Sequence, residues 1–186
     1  MKSTRTLLIG IFIFLLSACT SVAPDFQPDS KIITHFRLGD FQSLKVGEVS
    51  GANEKIEKIS IRGGKMKSPY KNSYVAYLKE ALEIQLKYSN IWDENSLLKI
   101  DAVFLNNKLD ASGVDIGIIE LSAEFSIYES NKKVYQNTHV ISHQWSSSFV
   151  GAIAIPAAQQ NYQVAIHKLL NDFLLSNEVL KILKIE

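Results

Sequence analysis

Residues 119–128 read IELSAEFSIY, and this stretch decides the fold. Ile119, Leu121, Ala123, Phe125 and Ile127 alternate with Glu120, Ser122, Glu124, Ser126 and Tyr128. Side chains of a strand point to opposite faces in turn, so strict alternation predicts a strand with one face in the core and the other wet. Ser130-Asn131-Lys132 supplies a tight turn. Residues 133–145 then predict a second strand, and the two read as an antiparallel hairpin. Before them, residues 98–109 alternate Ile100, Ala102 and Phe104 with Lys99, Asp101 and Val103, a third strand that ends in the turn-forming loop 110–115.

Two stretches carry the helical period instead. In residues 74–87, Val75, Leu78, Leu82 and Leu86 recur at helical spacing, Tyr74, Tyr77 and Ala81 widen the stripe, and Ser73 stands where an N-cap belongs. In the last helix, Tyr162, Ala165, Ile166, Leu169, Leu170, Phe173 and Leu174 follow the period, and Pro156 reads as its first position. A short apolar run over 179–185 predicts a further turn or two. Leu44 and Val46 mark a first strand within residues 36–49, and residues 50–71 predict a long loop with one short extra strand. The expected architecture is a single α+β domain over residues 32–186: a mainly antiparallel sheet of about four strands with two helices on one face.

The chain has 186 residues, 20 Lys and Arg against 19 Asp and Glu, and one Cys. That is enough chain for one core. The near-balanced charge gives no electrostatic reason to expect nucleic acid as a partner. One Cys excludes an internal disulfide and any zinc site built mainly from thiolates.

Its position is the informative part. Lys2 and Arg5 precede an apolar run, residues 7–16 (LLIGIFIFLL), and then Ser17-Ala18-Cys19. This is the layout of a secretion signal, and a run of this length rises only about 15 Å as a helix, half a bilayer core. Residues 1–18 are therefore expected to be a signal peptide. Its removal takes away Lys2 and Arg5 and no acid, so in the mature chain acids outnumber bases by one. Residues 20–31 carry Pro24, Pro28 and small polar residues without a period, which predicts that 19–31 form a tether.

Leu16-Ser17-Ala18-Cys19 resembles a bacterial lipobox. The resemblance implies that the Cys19 thiol receives a diacylglycerol, that the chain is cut before it, and that the new amine is acylated. Thr20, rather than Asp, follows the Cys, which by similarity to enterobacterial lipoproteins implies sorting to the outer membrane. With the helix 74–86 (YVAYLKEALEIQL), the strands from 98 and 119 and the closing helix, the chain is similar to small proteobacterial envelope lipoproteins of the YajG type. The auxiliary lipoproteins of lipid-transporting ABC systems are its next neighbour. The resemblance implies a lipoprotein facing the periplasm, held by its N-terminal lipid.

Nothing in the remaining sequence assembles a catalytic or metal motif. His139 and His143 are four apart, but on a strand that is about 13 Å, too far for one ion. Glu120 and Glu124 have the same separation, beyond the spacing of paired glycosidase carboxylates. Ser146-Ser147-Ser148 lacks a nucleophile-elbow motif, so a hydrolase would need His143, Ser147 and a carboxylate to converge through the fold. Arg62-Gly63-Gly64-Lys65 lacks the phosphate-loop spacing. The unusual segment is 149–156 (FVGAIAIP), apolar where a polar connector is normal and more apolar than in the family it resembles. Either it runs through the core, or Phe149, Ile153 and Ile155 form an exposed lip for a partner or acyl chain.

The expected function is that of a non-enzymatic outer-membrane lipoprotein, without metal or cofactor, that binds another envelope component (protein, lipid or glycan) in assembly or maintenance. The alternative is a carrier or transport accessory for a lipid or other hydrophobic ligand, with Phe149, Ile153 and Ile155 and the aromatic helix face of Tyr74 and Tyr77 as contacts.

Overall fold

The alternation of residues 119–128 puts its strand at the centre of the molecule. In the computed structural model, which describes residues 20–185, Ile119, Leu121, Ala123, Phe125 and Ile127 are all fully buried. Cys19 and the expected signal peptide lie outside the described residues. In chain order the elements are β1 (Thr20–Val22), α1 (Ser30–Arg37), β2 (Lys45–Gly51), a 3-10 turn (Glu54–Glu57), β3 (Ile59–Ile61), β4 (Gly64–Lys67), α2 (Tyr74–Tyr88), β5 (Leu98–Asp110), β6 (Ile116–Glu129), β7 (Lys132–Ser146), α3 (Gly151–Leu174) and α4 (Asn177–Leu183).

A four-stranded sheet runs β2-β5-β6-β7, with β5, β6 and β7 antiparallel and β2 parallel to β5. A smaller sheet runs β1-β4-β3. The fold is a single α+β domain, as the periodicities predict. α3 packs on β6 and β7 and α2 on β2, so both long helices cover the same face of the larger sheet. Between them Phe125 stacks on Phe173 with ring centroids 4.1 Å apart, and Tyr162 meets Tyr74 and Tyr77 edge-on at 5.2 and 5.4 Å. Such pairs add to the free energy of burying the rings.

Local chemistry fixes the helix ends. Ser73 Oγ accepts the Ala76 N–H, and the Glu57 carboxylate, brought by the 3-10 turn, accepts the Tyr74 and Val75 N–H groups and the Ser73 hydroxyl. A carboxylate on the first amides of α2 is favoured by the helix dipole as well. Asn90, in the left-handed region at φ 59°, ends it.

Four expectations need correction. Residues 20–31 are not a tether. β1 pairs with β4, Ala23 and Phe26 are buried, the Tyr77 hydroxyl donates to the Pro24 carbonyl (3.0 Å), and Asp29 caps α1. Gln85, fully buried in α2, accepts the Asp29 N–H (2.7 Å) and donates to its carbonyl (3.2 Å). His167 of α3 donates to the Gln27 carbonyl (2.6 Å), and Asn171 of α3 donates to the Asp29 carboxylate (2.6 Å). Prolines and small residues leave the backbone carbonyls bare for these distant donors.

The other corrections concern element boundaries. Phe36 belongs to α1 and not to a strand, and the strand starts at Lys45. Residues 59–67 form a hairpin of two strands, and β1 joins it. The last long helix begins at Gly151, five residues before Pro156. Ala154 and Ala158 are fully buried one helical turn apart, so the small residues extend the buried stripe toward the N-terminus and outweigh the one hydrogen bond that Pro156 forgoes.

Candidate binding surfaces

Three regions outside the core carry chemistry or exposed apolar area. The first is the end of the molecule where β3 turns into β4. Arg62 and Gly63 both have positive φ there (50° and 79°), which makes the turn tight and aims the Arg62 side chain across the sheet end. Its Nη2 donates to the Gly113 carbonyl at 2.8 Å and to the Ser148 carbonyl at 2.6 Å. One guanidinium thus ties the β5–β6 loop to the β7–α3 connector, and the Ser147 N–H on the Asp115 carbonyl (2.8 Å) closes the same junction.

Beyond this junction the apolar segment emerges. Phe149 is 75% exposed and Ile153 60% exposed, and Val150, Val114 and Ile116 are exposed with them. Ile155 is partly buried and packs against the core, so the lip consists of Phe149, Val150 and Ile153 and not Ile155. Tyr74 and Tyr77 are no part of any surface. Both are fully buried, their hydroxyls donate to the Met66 and Pro24 carbonyls, and burial holds both phenols far above their usual range.

The second region is the face of the four-stranded sheet that no helix among the described residues covers. Glu120, Ser122, Glu124, Ser126 and Tyr128 stand there, as the alternation requires. Lys99 pairs with Asp101 (3.0 Å), Lys108 with Glu120 (3.2 Å), and Lys99 and Lys133 lie over the Tyr128 ring at 5.0 and 5.7 Å. Among the described residues β7, 15 residues long, pairs with β6 alone and forms the edge of the sheet, with Val140 exposed on the uncovered side. An edge strand of this length presents a row of backbone donors and acceptors to another chain.

The third region is a histidine cluster under β7. His139 Nε2 meets the Tyr135 hydroxyl at 2.7 Å and its Nδ1 meets the Asp172 carboxylate at 2.7 Å. His143 Nε2 meets Asn161 Oδ1 at 2.7 Å, and Lys168 Nζ donates to its Nδ1 at 2.9 Å. The two rings bond to different partners and share none, in keeping with the strand spacing. An open polar groove of about 770 Å³ runs beside them, lined in part by Lys31, Ser142, Lys168, Asn171 and Asp172. The hydroxyl–imidazole–carboxylate chain could relay a proton. Tyr135 and His139 are both buried, burial raises the Tyr135 phenol, and the chain pins α3 to β7. Residue spacing missed this cluster because Asp172 lies 33 positions from His139. Ser147 does not join His143: the two are four residues apart at the end of one extended chain. Among the described residues, no group of three or more His, Cys, Asp or Glu is placed to hold a metal ion.

No family model matches the chain, and no curated protein matches it. Solved structures do. A protein of Xanthomonas campestris from the family DUF330 superposes with a TM-score of 0.58 at 14% identity, over 84% of this chain and 95% of that one. A Caulobacter crescentus protein named provisionally as a lipoprotein gives 0.48 at 12% identity, over 82% and 96% of the two chains. A minor lipoprotein from Acinetobacter baumannii gives 0.45 at 10%, over 77% and 94%. The Xanthomonas protein shares the fold.

Proposed function

We propose that this protein is a lipoprotein of a Gram-negative cell envelope, held in the outer membrane through acylated Cys19 and facing the periplasm, where it binds another envelope component without catalysing a reaction. Anchoring rests on Leu16-Ser17-Ala18-Cys19 after a short apolar run, with Thr20 at the sorting position. Two or more acyl chains on one residue would make the anchor effectively permanent. The binding role rests on one observation: among the described residues the four-stranded sheet is covered by α2 and α3 on one face only, and its other face ends in the unpaired 15-residue edge of β7.

The carrier reading has less support. The space between sheet and helices, where an acyl chain would lie, is filled by Tyr74, Tyr77, Tyr162, Phe125 and Phe173, all fully buried. What favours it is the exposure of Phe149, Val150 and Ile153.

The test is a photo-reactive residue at Val140, on the bare side of β7, with cross-linking in intact cells and fractionation of the membranes. The expected result is a discrete adduct in the outer-membrane fraction that is lost from a label at Leu97, at the far end of the sheet. No adduct at Val140, Thr138 or Ser142 above the unirradiated background would overturn the reading.

A further inference from the structure

Residues 20–29 are docked on the domain, and this constrains the anchor. Cys19 is bonded to Thr20, and Thr20 is already the first residue of β1, in register with Lys65 of β4. Consecutive Cα atoms are about 3.8 Å apart, so no free chain separates the expected lipid from the folded domain.

The direction in which the anchor leaves is fixed as well. β1 runs parallel to β4, so its first residue lies at the end where β4 leaves the Arg62-Gly63 turn. Arg62 holds the Ser148 carbonyl, two residues before the Val150 cap of α3. Both β1 and α3 therefore start at this end and run away from it, and they meet where the Gln159 side-chain amide donates to the Val22 carbonyl. Two extended residues back from Val22 is about 7 Å, and five helical residues back from Gln159 is about 7.5 Å. Thr20, the residue bonded to Cys19, is thus level with Ala154, next to Ile153.

From these placements we propose that the exposed apolar residues Phe149, Val150 and Ile153 are a membrane-docking lip, lying in the interface of the leaflet that takes the Cys19 acyl chains. The proposal rests on the reading of Cys19 as acylated. A lipid carried one residue before Thr20 brings the bilayer surface to these side chains, and amphipathic segments sit about 5 to 10 Å into the headgroup and acyl boundary. The charges near this end are mixed, Arg62 and Lys65 against Asp110 and Asp115, so apolar burial and not headgroup attraction drives the contact. β5, 13 residues long, then stands the opposite end of the sheet about 40 Å from the membrane.

The experiment uses the full chain, processed in cells and reconstituted in vesicles of phosphatidylethanolamine and phosphatidylglycerol containing a spin-labelled lipid as quencher. The mature chain's only native thiol, Cys19, is blocked if acylated, so Phe149→Cys, Ile153→Cys and Leu97→Cys each offer one site for a bimane label. Leu97 is 70% exposed beside the β6–β7 turn, its carbonyl bonded to the Ser130 N–H, at the far end of β5. Quenching at positions 149 and 153 is expected to be at least about twofold stronger than at 97 for a lip at interfacial depth. The mass of the N-terminal peptide from the same preparation reports acylation separately. An acylated chain with equal quenching at all three positions would overturn the docking lip and leave the anchor standing, and an unmodified Cys19 would overturn both.

Discussion

Replacing Phe26 by Ala separates a tether from an integral part of the core. Phe26 is 2% exposed, its ring meets Tyr77 edge-on at 6.5 Å and His167 at 5.1 Å, and its N–H donates to the Tyr70 hydroxyl at 3.0 Å. A side chain in a flexible linker would change stability by no more than about 0.5 kcal/mol on truncation. A phenyl ring removed from a packed site costs about 3 to 5 kcal/mol, from lost transfer free energy and the cavity left between α2 and α3. For a domain of this size each kcal/mol moves the melting temperature about 2 to 4 °C, so the expected loss is about 6 to 20 °C. Thermal and urea unfolding of the chain from Thr20 onward, followed by circular dichroism, measure the temperature and free-energy losses, with Leu38→Ala as the control because Leu38 is 83% exposed. A Phe26→Ala variant that unfolds within about 0.5 kcal/mol of the parent would refute the packing of residues 20–29 against the two helices.

Other perturbations follow from the same contacts. Tyr162→Phe removes the hydroxyl that donates to Asn107 Oδ1 (3.1 Å), while Asn107 Nδ2 remains on the Ile56 carbonyl; leaving that buried oxygen unpaired should cost about 1 to 3 kcal/mol in chemical denaturation. Burial holds the phenols of Tyr74, Tyr77 and Tyr162 above the usual value near 10, so above that pH the unfolded chain releases protons that the folded chain keeps. Their contribution to stability is therefore complete below about pH 10 and falls as pH rises through the folded values, which melting curves against pH, with phenolate absorbance, will show. Pro156→Ala should restore a bond to the Ala152 carbonyl, slow amide exchange over residues 151–155 and stabilise the chain by about 1 kcal/mol or more; a destabilised variant would contradict this. The hydroxyl and N–H of Ser112 hold the Asp110 carboxyl below the usual carboxylate range, so Ser112→Ala should raise it in an NMR titration while global stability barely moves, the carboxyl being exposed.

Elements with an undisturbed period were legible in the sequence. β6 alternates along its whole core face, and α2 combines an apolar stripe with a serine cap, so each carries its own geometry locally. The start of α3 was hidden because Pro156 reads as a first helical position, whereas burial of Ala154 and Ala158 sets the start at Gly151. The docking of residues 20–29 left no pattern, because its bonds run from backbone groups of Pro24, Gln27 and Asp29 to the side chains of Tyr77, His167 and Gln85. The lip was legible as a composition anomaly at 149–156. Phe149 and Ile153 could be read from it; Ile155 could not, since the helix turns it toward the core, and the N-cap Val150 is exposed instead. Tyr74 and Tyr77 belong to the stripe that defines α2, and the same periodicity that revealed the helix placed them inside.

The clasp between the two ends of the chain also sets a timetable for folding. Val22, Gln27, Asp29 and Gln42 are each held by a partner 137 to 142 positions later, in α3 or α4. Contacts so distant in sequence cannot form until nearly the last residue has emerged from whatever delivers the chain. Residues 22–42, made early, are therefore among the last to find their place, and they stay loose until the C-terminal helices arrive and lock them.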